Sequence, residues 1–432
     1  MNSKLKLPFP VGYAKQITFP WEDGLSNSCG VEVVDGCACS RYDVVPVDDY
    51  QRDGESLQCV WETEEGLLEW STDGYLLLRS PNTYDAVCNE SFNYVNVVQT
   101  SKGLLILTDL GVYSLQKGKE RATKTTLPPF TKAMVHNGRC FAVTGTDCKV
   151  YFSAFQDEFC FDTTQDGGWI SFGERGGKAV ALCVVGGNLY VFRQHSVERV
   201  TATAQQINFA VETIDFACGK LYANTLASKG KSAIFLTDWG LWSFDGKVFS
   251  RLAKHLDRAF AAINDYATAI WCAQGYLLNC KLSFDGQSNG GANNALVVAA
   301  GSSVVVLRGW DFCGLSQTLA GQPLLNSNGD FYTLADSDQT QTLRQCQLQT
   351  NFNSHKGKTV QFVTLATQTP VTLTVYFNNT FKVFNLQASG EMQSVFVNAT
   401  GKSFRFVFKS SGKMHLSPIT VDYLLYKGGV AP

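Results

Sequence analysis

The sequence predicts an all-β fold: a β-propeller of six or seven blades followed by a small C-terminal antiparallel β-sandwich. Three observations lead there: a hairpin phrase that recurs, turn markers spaced at blade length, and a change of periodicity near Asn351. The phrase is clearest in residues 107–115, Leu-Thr-Asp-Leu-Gly-Val-Tyr-Ser-Leu, and again in 236–244, Leu-Thr-Asp-Trp-Gly-Leu-Trp-Ser-Phe. Each copy is a hydrophobic run, a tight polar turn and a second run that alternates apolar and polar residues. That pattern is a β-hairpin with one buried face. Looser copies occupy 70–77 and 325–334. The turn residues are Asp73 and Gly74, Asp109 and Gly111, Asp238 and Gly240, and Asn328 and Gly329. Their expected role is structural: glycine takes the backbone angles of the turn, and the acidic or amide side chain caps it.

One residue of each hairpin serves as a marker: Gly66, Gly103, Gly138, Gly187, Ala233, Gly275 and Gly321. The steps between them are roughly 35 to 50 residues, the period of a four-stranded propeller blade. Residues 61–350 are therefore assigned to the propeller, and 1–60 to an N-terminal arm with strands that close the ring. Residues 187–200 form a further hairpin around a polar turn. Leu252, Leu256, Ala259, Phe260 and Ile263 recur at helical spacing, so 251–264 is expected to be a short amphipathic helix. From 351 onward the blade-length repeat ends. Runs such as 371–377 and 403–409 alternate between short turns, which predicts a small sandwich over 351–432, entered through a polar, turn-like boundary at 349–358.

Composition narrows the function. Hydrophobic residues make up 45% of the 432-residue chain and aromatics 12%, enough for a large core. Charged residues are 17%, against about 25% in ordinary soluble domains. A net charge of -2, with acids and bases intermixed, is no nucleic-acid footprint. The first residues lack a continuous apolar stretch, and the most apolar segment, 179–185, is too short to span a membrane, so a cytoplasmic origin is expected. The 14 cysteines are scattered through hydrophobic runs and are expected to be thiols. Cys29, Cys37, Cys39 and Cys59 form the one cluster to weigh as a metal site, but they lack paired C-x-x-C spacing and a nearby histidine.

Catalytic chemistry finds little support. The five histidines (His136, His195, His255, His355, His415) fall in separate units, and no Walker loop or nucleophile elbow occurs. The Thr-Asp-x-Gly turns lack the trailing Thr-Trp of a sialidase Asp-box. Residues 174–177 and 289–291 are glycine-rich but do not join a strand to a long helix, so they read as turns. Trp239, Trp242 and Trp310 could stack on sugars or fill blade cores. No catalytic, metal or cofactor residue is assigned.

A succession of segments carries a family resemblance: 151–159 (Tyr-Phe-Ser-Ala-Phe-Gln-Asp-Glu-Phe), 170–173, 187–200, 234–250, 294–298, Trp310-Asp311 and 328–332. In that order they resemble the β-propeller tail proteins of tailed bacteriophages, the hub or head-completion (stabilisation) proteins. Residues 401–423 are similar to the C-terminal sandwich of that family, and the resemblance spans about 150–426. It implies a non-enzymatic structural virion protein, a ring around the portal-tail channel in the virion tail. The chain would be made in the host bacterial cytoplasm and would contact other tail or portal proteins and, passively, DNA, with no cofactor and no membrane. The alternative is a receptor- or glycan-binding tail protein, and after it a glycan-active propeller enzyme. Residues 259–279 hold one acid, Asp265, and 287–307 hold none, so these segments are expected at subunit contacts. Residues 5–20 are expected to be an extended arm or a strand docked on the propeller.

Overall fold

The computed structural model describes residues 13–19, 31–34, 37–40, 42–47, 57–80, 84–257, 259–261, 264–282, 294–301, 303–308, 310, 312–327, 329–336, 346–410, 414–417 and 419–425. It divides into two compact units, one of residues 44–302 and 309–334, the other of 1–43, 303–308 and 335–432. Among the described residues the chain is all-β, broken only by 3₁₀ turns of three residues each.

The larger unit is a succession of antiparallel meanders, with neighbouring strands paired in sequence order. Sheet 1 covers 57–86, sheet 2 95–124, sheet 3 132–171, sheet 4 179–215, sheet 5 227–252, sheet 6 268–300 and sheet 7 314–334. Sheet 6 contributes three strands to this unit. Sheet 7 is completed by 44–46, from far earlier in the chain, and the Val47 N–H donates to the Phe331 carbonyl at 2.8 Å. All seven sequence markers fall in the second strand of a sheet or in the turn that enters it. This is the β-propeller arrangement.

Hydrophobic alternation explains how the sheets pack. Leu107 and Val112 are paired across the sheet 2 hairpin and cluster with Phe130, Cys140 and Ala142 on the way into sheet 3. Leu236 and Leu241 pair in the same way in sheet 5 and are fully buried. Between sheets 4 and 5 the filling is aromatic. Phe192 meets Phe235 at 5.3 Å, and Phe244 stacks on Phe249 at 4.5 Å. Edge-to-face and offset ring pairs of this kind add to the stabilisation that comes from area alone.

One expectation for this unit needs correction. Among the described residues, 251–264 hold no α-helix, and Ile263 lies outside them. Phe249–Leu252 is a strand paired with 241–244, followed by 3₁₀ turns at Lys254–Leu256 and Ala259–Ala261. Ala253 has φ +47°, a left-handed conformation that a right-handed helix cannot continue through. Its helical spacing still places Leu256, Ala259 and Phe260 in the core. Where they are described, the weakly charged segments 259–279 and 287–307 are largely strand, with Tyr266 89% exposed. Cys272, Tyr276, Leu277, Leu278 and Ala295–Ala299 are buried within the chain itself. Burial in strand cores accounts for the missing charge.

The smaller unit is built on a six-stranded antiparallel sheet in the order Tyr13–Phe19, Ile419–Leu425, Cys346–Ala366, Met392–Ser410, Val371–Phe377 and Thr380–Leu386. A second sheet joins Val31–Val34, Cys37–Ser40 and His415–Leu416. The core is drawn from both ends of the large sheet: Val360, Val363, Leu365, Leu373, Val375, Phe404, Phe406, Phe408 and Val421 are buried together. The polar stretch 349–358 is not a linker but part of the 21-residue strand Cys346–Ala366. The strand pairs with Met392–Ser410 up to Asn353 and again from Lys358, with a register shift between the two. The N-terminal strand Tyr13–Phe19 pairs with Ile419–Leu425, so it docks in this unit and not on the propeller, while 5–12 and 20 lie outside the described residues.

Candidate functional site

The turn residues singled out in the sequence lie one per sheet and are not brought together. In two of the turns the capping group is threonine instead of aspartate. Thr108 Oγ1 donates to the Gly111 carbonyl at 2.8 Å and accepts from the Leu110 N–H at 3.1 Å. Thr237 repeats both bonds with Gly240 and Trp239, at 3.3 and 3.1 Å. Asp109 and Asp238 turn away from their own hairpins and pin the preceding loops. Asp109 accepts from the Asn93 N–H at 3.1 Å and from its side-chain amide at 2.9 Å, and Asp238 accepts from the Lys220 N–H at 2.7 Å. In the turn holding Asp73 and Gly74 it is Ser71 that accepts, from Tyr75, while Asp73 is exposed. Gly329 donates to Asn326 Oδ1 at 3.1 Å, and Asn328 lies outside the described residues. A one-hydroxyl clasp of this kind also closes the turns at Thr63 and Thr100, and at Cys272 the thiol replaces the hydroxyl.

Other motifs prove structural as well. The glycine-rich turn at 174–177 is occupied by the chain itself. Arg193 donates from Nε and Nη2 to the Gly177 carbonyl at 3.0 and 2.7 Å, and also from Nη2 to the Gly173 carbonyl. Trp310 is stacked on Phe312 at 5.5 Å and buried, and Trp242 donates to Thr237 Oγ1 at 3.1 Å. Trp239 is about half exposed, and residues 289–291 lie outside the described residues. His136 is buried beside Phe141, and burial holds its pKa below the ordinary value. Cys29 and the side chains of Cys37 and Cys39 lie outside the described residues, and among those described no group of His, Cys, Asp or Glu could hold a metal ion. The described cysteines are free thiols.

The feature the sequence did not single out is a cavity of about 640 Å³ inside the propeller unit. Its walls come from the first strands of sheets 1, 2, 3, 6 and 7 and from 224–228 in sheet 5. These inner strands differ from the second strands behind them. Val95–Thr100 and Lys132–His136 are half-buried through most of their length, whereas Gly103–Thr108 and Arg139–Val143 are buried at every position. The lining is mostly uncharged and polar, with Tyr94, Asn96, Gln99, Asn224, Ser228, Thr268 and Ser316, beside Trp61 and Trp271. Tyr94 donates to the Thr131 carbonyl at 2.6 Å, and burial raises its pKa. Two lining residues can carry charge at neutral pH, Glu62 and Lys132. Glu62 accepts from the Leu319 N–H at 2.9 Å. Lys132 is held down to about 8 by burial alone, with no acid close enough to offset it. The arrangement suits binding: one cation, one acid and a ring of neutral donors and acceptors. The signal in the sequence was a lysine opening an otherwise apolar strand, Lys132-Ala133-Met134-Val135.

No protein-family model and no curated protein matches the chain. Solved structures with a similar course of the chain include a streptogramin B lyase, with 8% identity, 68% of this chain and 98% of that chain covered, and a TM-score of 0.45. Others are the Pan2 WD40 domain of Neurospora crassa (9% identity, 70% and 97% covered, TM-score 0.43) and BamB from Moraxella catarrhalis (11%, 74% and 98%, TM-score 0.41). At these identities and scores nothing about activity passes to this chain.

Proposed function

We propose that the chain is a non-enzymatic structural virion protein of a tailed bacteriophage, a tail hub or adaptor that assembles as a ring around the portal-tail channel and contacts other tail or portal proteins. The observation that carries this reading is the outer edge of the large C-terminal sheet. Thr380–Leu386 stands at the end of that sheet, with Phe381 62% and Val383 50% exposed. Soluble monomers blunt such edges with charge, above all lysine. The lysine of this strand does not serve that purpose: Lys382 Nζ turns to the carbonyls of Val397 and Asn398, at 2.8 and 3.1 Å. Phe362 and Phe396, paired at 5.1 Å, extend the exposed apolar surface of the unit. An apolar edge left open in this way suits a protein that is covered by neighbours in an assembly.

The same reading gives the propeller seven blades, one for each sheet marker, with 44–46 closing the last. It makes the C-terminal unit a sandwich formed from one sheet, in which the long strands Cys346–Ala366 and Met392–Ser410 bend at their register shifts and contribute to both layers around a common core. Quantitative mass spectrometry of purified phage particles tests the assignment. The chain is expected in particles at a fixed copy number close to that of the portal protein. Its absence from particles would overturn the reading, and binding of the full chain on a glycan array would favour the receptor-binding alternative.

A further inference from the structure

We propose that the cavity inside the propeller unit binds a small organic carboxylate, with Lys132 taking its charge. The cavity, about 640 Å³, has room for a molecule of monosaccharide size. Several cations of this unit are matched by acids of the chain: Lys102 by Asp157 at 2.9 Å, Lys220 by Asp265 at 3.1 Å, and Arg193 by Glu198 at 2.9 Å. The Lys132 side chain has no hydrogen bond or ion pair among the described residues, and it stands half-buried in the cavity wall. Burial with no acid nearby is also what lowers its pKa. An unmatched ammonium in such a place is costly unless an anion completes it.

The rest of the lining narrows the anion. Trp61 and Trp271 present ring surface, which favours an organic body over a bare inorganic ion. Asn224 and Ser228 offer amide and hydroxyl groups to a hydroxylated ligand. Glu62 also lines the cavity, so a dianion such as phosphate meets more repulsion there than a single carboxylate does. The class indicated is a monoanionic, hydroxylated acid.

Calorimetric titration of the full chain with glucuronate, glucose and inorganic phosphate tests this. Glucuronate should bind at least about tenfold more tightly than glucose or phosphate, the factor a charge-assisted hydrogen bond supplies. Lys132→Met should weaken glucuronate by about tenfold or more, and Lys132→Arg should keep most of the affinity. Lys132→Met should unfold at or above the wild-type temperature, which separates loss of the site from loss of the fold. Absence of glucuronate binding, or binding unchanged in Lys132→Met, would overturn the proposal. Tighter binding of phosphate would overturn the carboxylate assignment.

Discussion

Arg193 and Glu198 face each other across the hairpin of sheet 4 at 2.9 Å, each 3% exposed. Glu198 is completed by Ser196 Oγ at 2.8 Å and Thr213 Oγ1 at 2.6 Å, and Arg193 by the carbonyls of 173 and 177. A buried pair adds little net stability over an apolar one, but removing one partner strands the other charge. Glu198→Ala is expected to cost about 3–5 kcal/mol in denaturant unfolding. A loss below about 1 kcal/mol would mean that the arginine finds water once its partner is gone.

Two turn glycines share a conformation but not a neighbourhood. Gly103 has φ +135° and Gly111 φ +131°, values that strain any other residue. A Cβ at Gly103 would run into the Leu115 carbonyl, whereas at Gly111 the nearest atom is the flexible end of Lys124 at 3.7 Å. Gly111→Ala is expected to cost about 1–3 kcal/mol from backbone strain, and Gly103→Ala clearly more. Paired thermal melts check the order, and equal losses would refute it.

The thiols differ enough to be told apart by alkylation. Burial pushes Cys59 up to about 12, and drives Cys140, Cys183 and Cys280 higher still. Cys313 is exposed. In native protein at pH 8, iodoacetamide should label Cys313 first among these five, with the other four reacting only after unfolding. Peptide mapping over time reads this directly, and early labelling of Cys140 would contradict the packing of sheets 2 and 3.

Lys132 gives a pH dependence whose sign is fixed. Its pKa falls from 10.5 in the unfolded chain to about 8 in the native one. Between those values the unfolded state holds a proton that the native state has lost, so stability from this group rises with pH. The destabilisation is fully present below pH 8 and is gone by about pH 10.5. Lys132→Met should therefore melt above wild type at pH 7, with the gap closing toward pH 10.5. A gap that stays constant across this range would show that the ammonium is well solvated.

Much of the fold was legible because its signals are local. A glycine with positive φ and the alternation on either side belong to a single hairpin, and so Gly66, Gly103 and Gly275 each open a second strand. What the sequence left hidden depended on geometry beyond the hairpin. Thr108 and Asp109 are both good turn cappers, and only the fold reveals that Thr108 closes the turn while Asp109 reaches Asn93. The spacing of Leu256, Ala259 and Phe260 is helical, yet they lie on two short 3₁₀ turns that follow a left-handed Ala253. The strand Cys346–Ala366 hid behind its polar middle, because ladder hydrogen bonds leave no mark in composition. The cavity was least visible of all, since its walls come from strands far apart in sequence.

The central claim is that this chain works as part of an assembly, joined through the open sheet edge at 380–386. Light scattering on the purified full chain over a concentration series, beside the Phe381→Lys/Val383→Lys double variant, tests it most directly. The wild type should reach a mass that is a whole multiple of 47.4 kDa, and the variant should fall back to a single chain. A wild type that stays at the mass of one chain at every concentration would contradict the account.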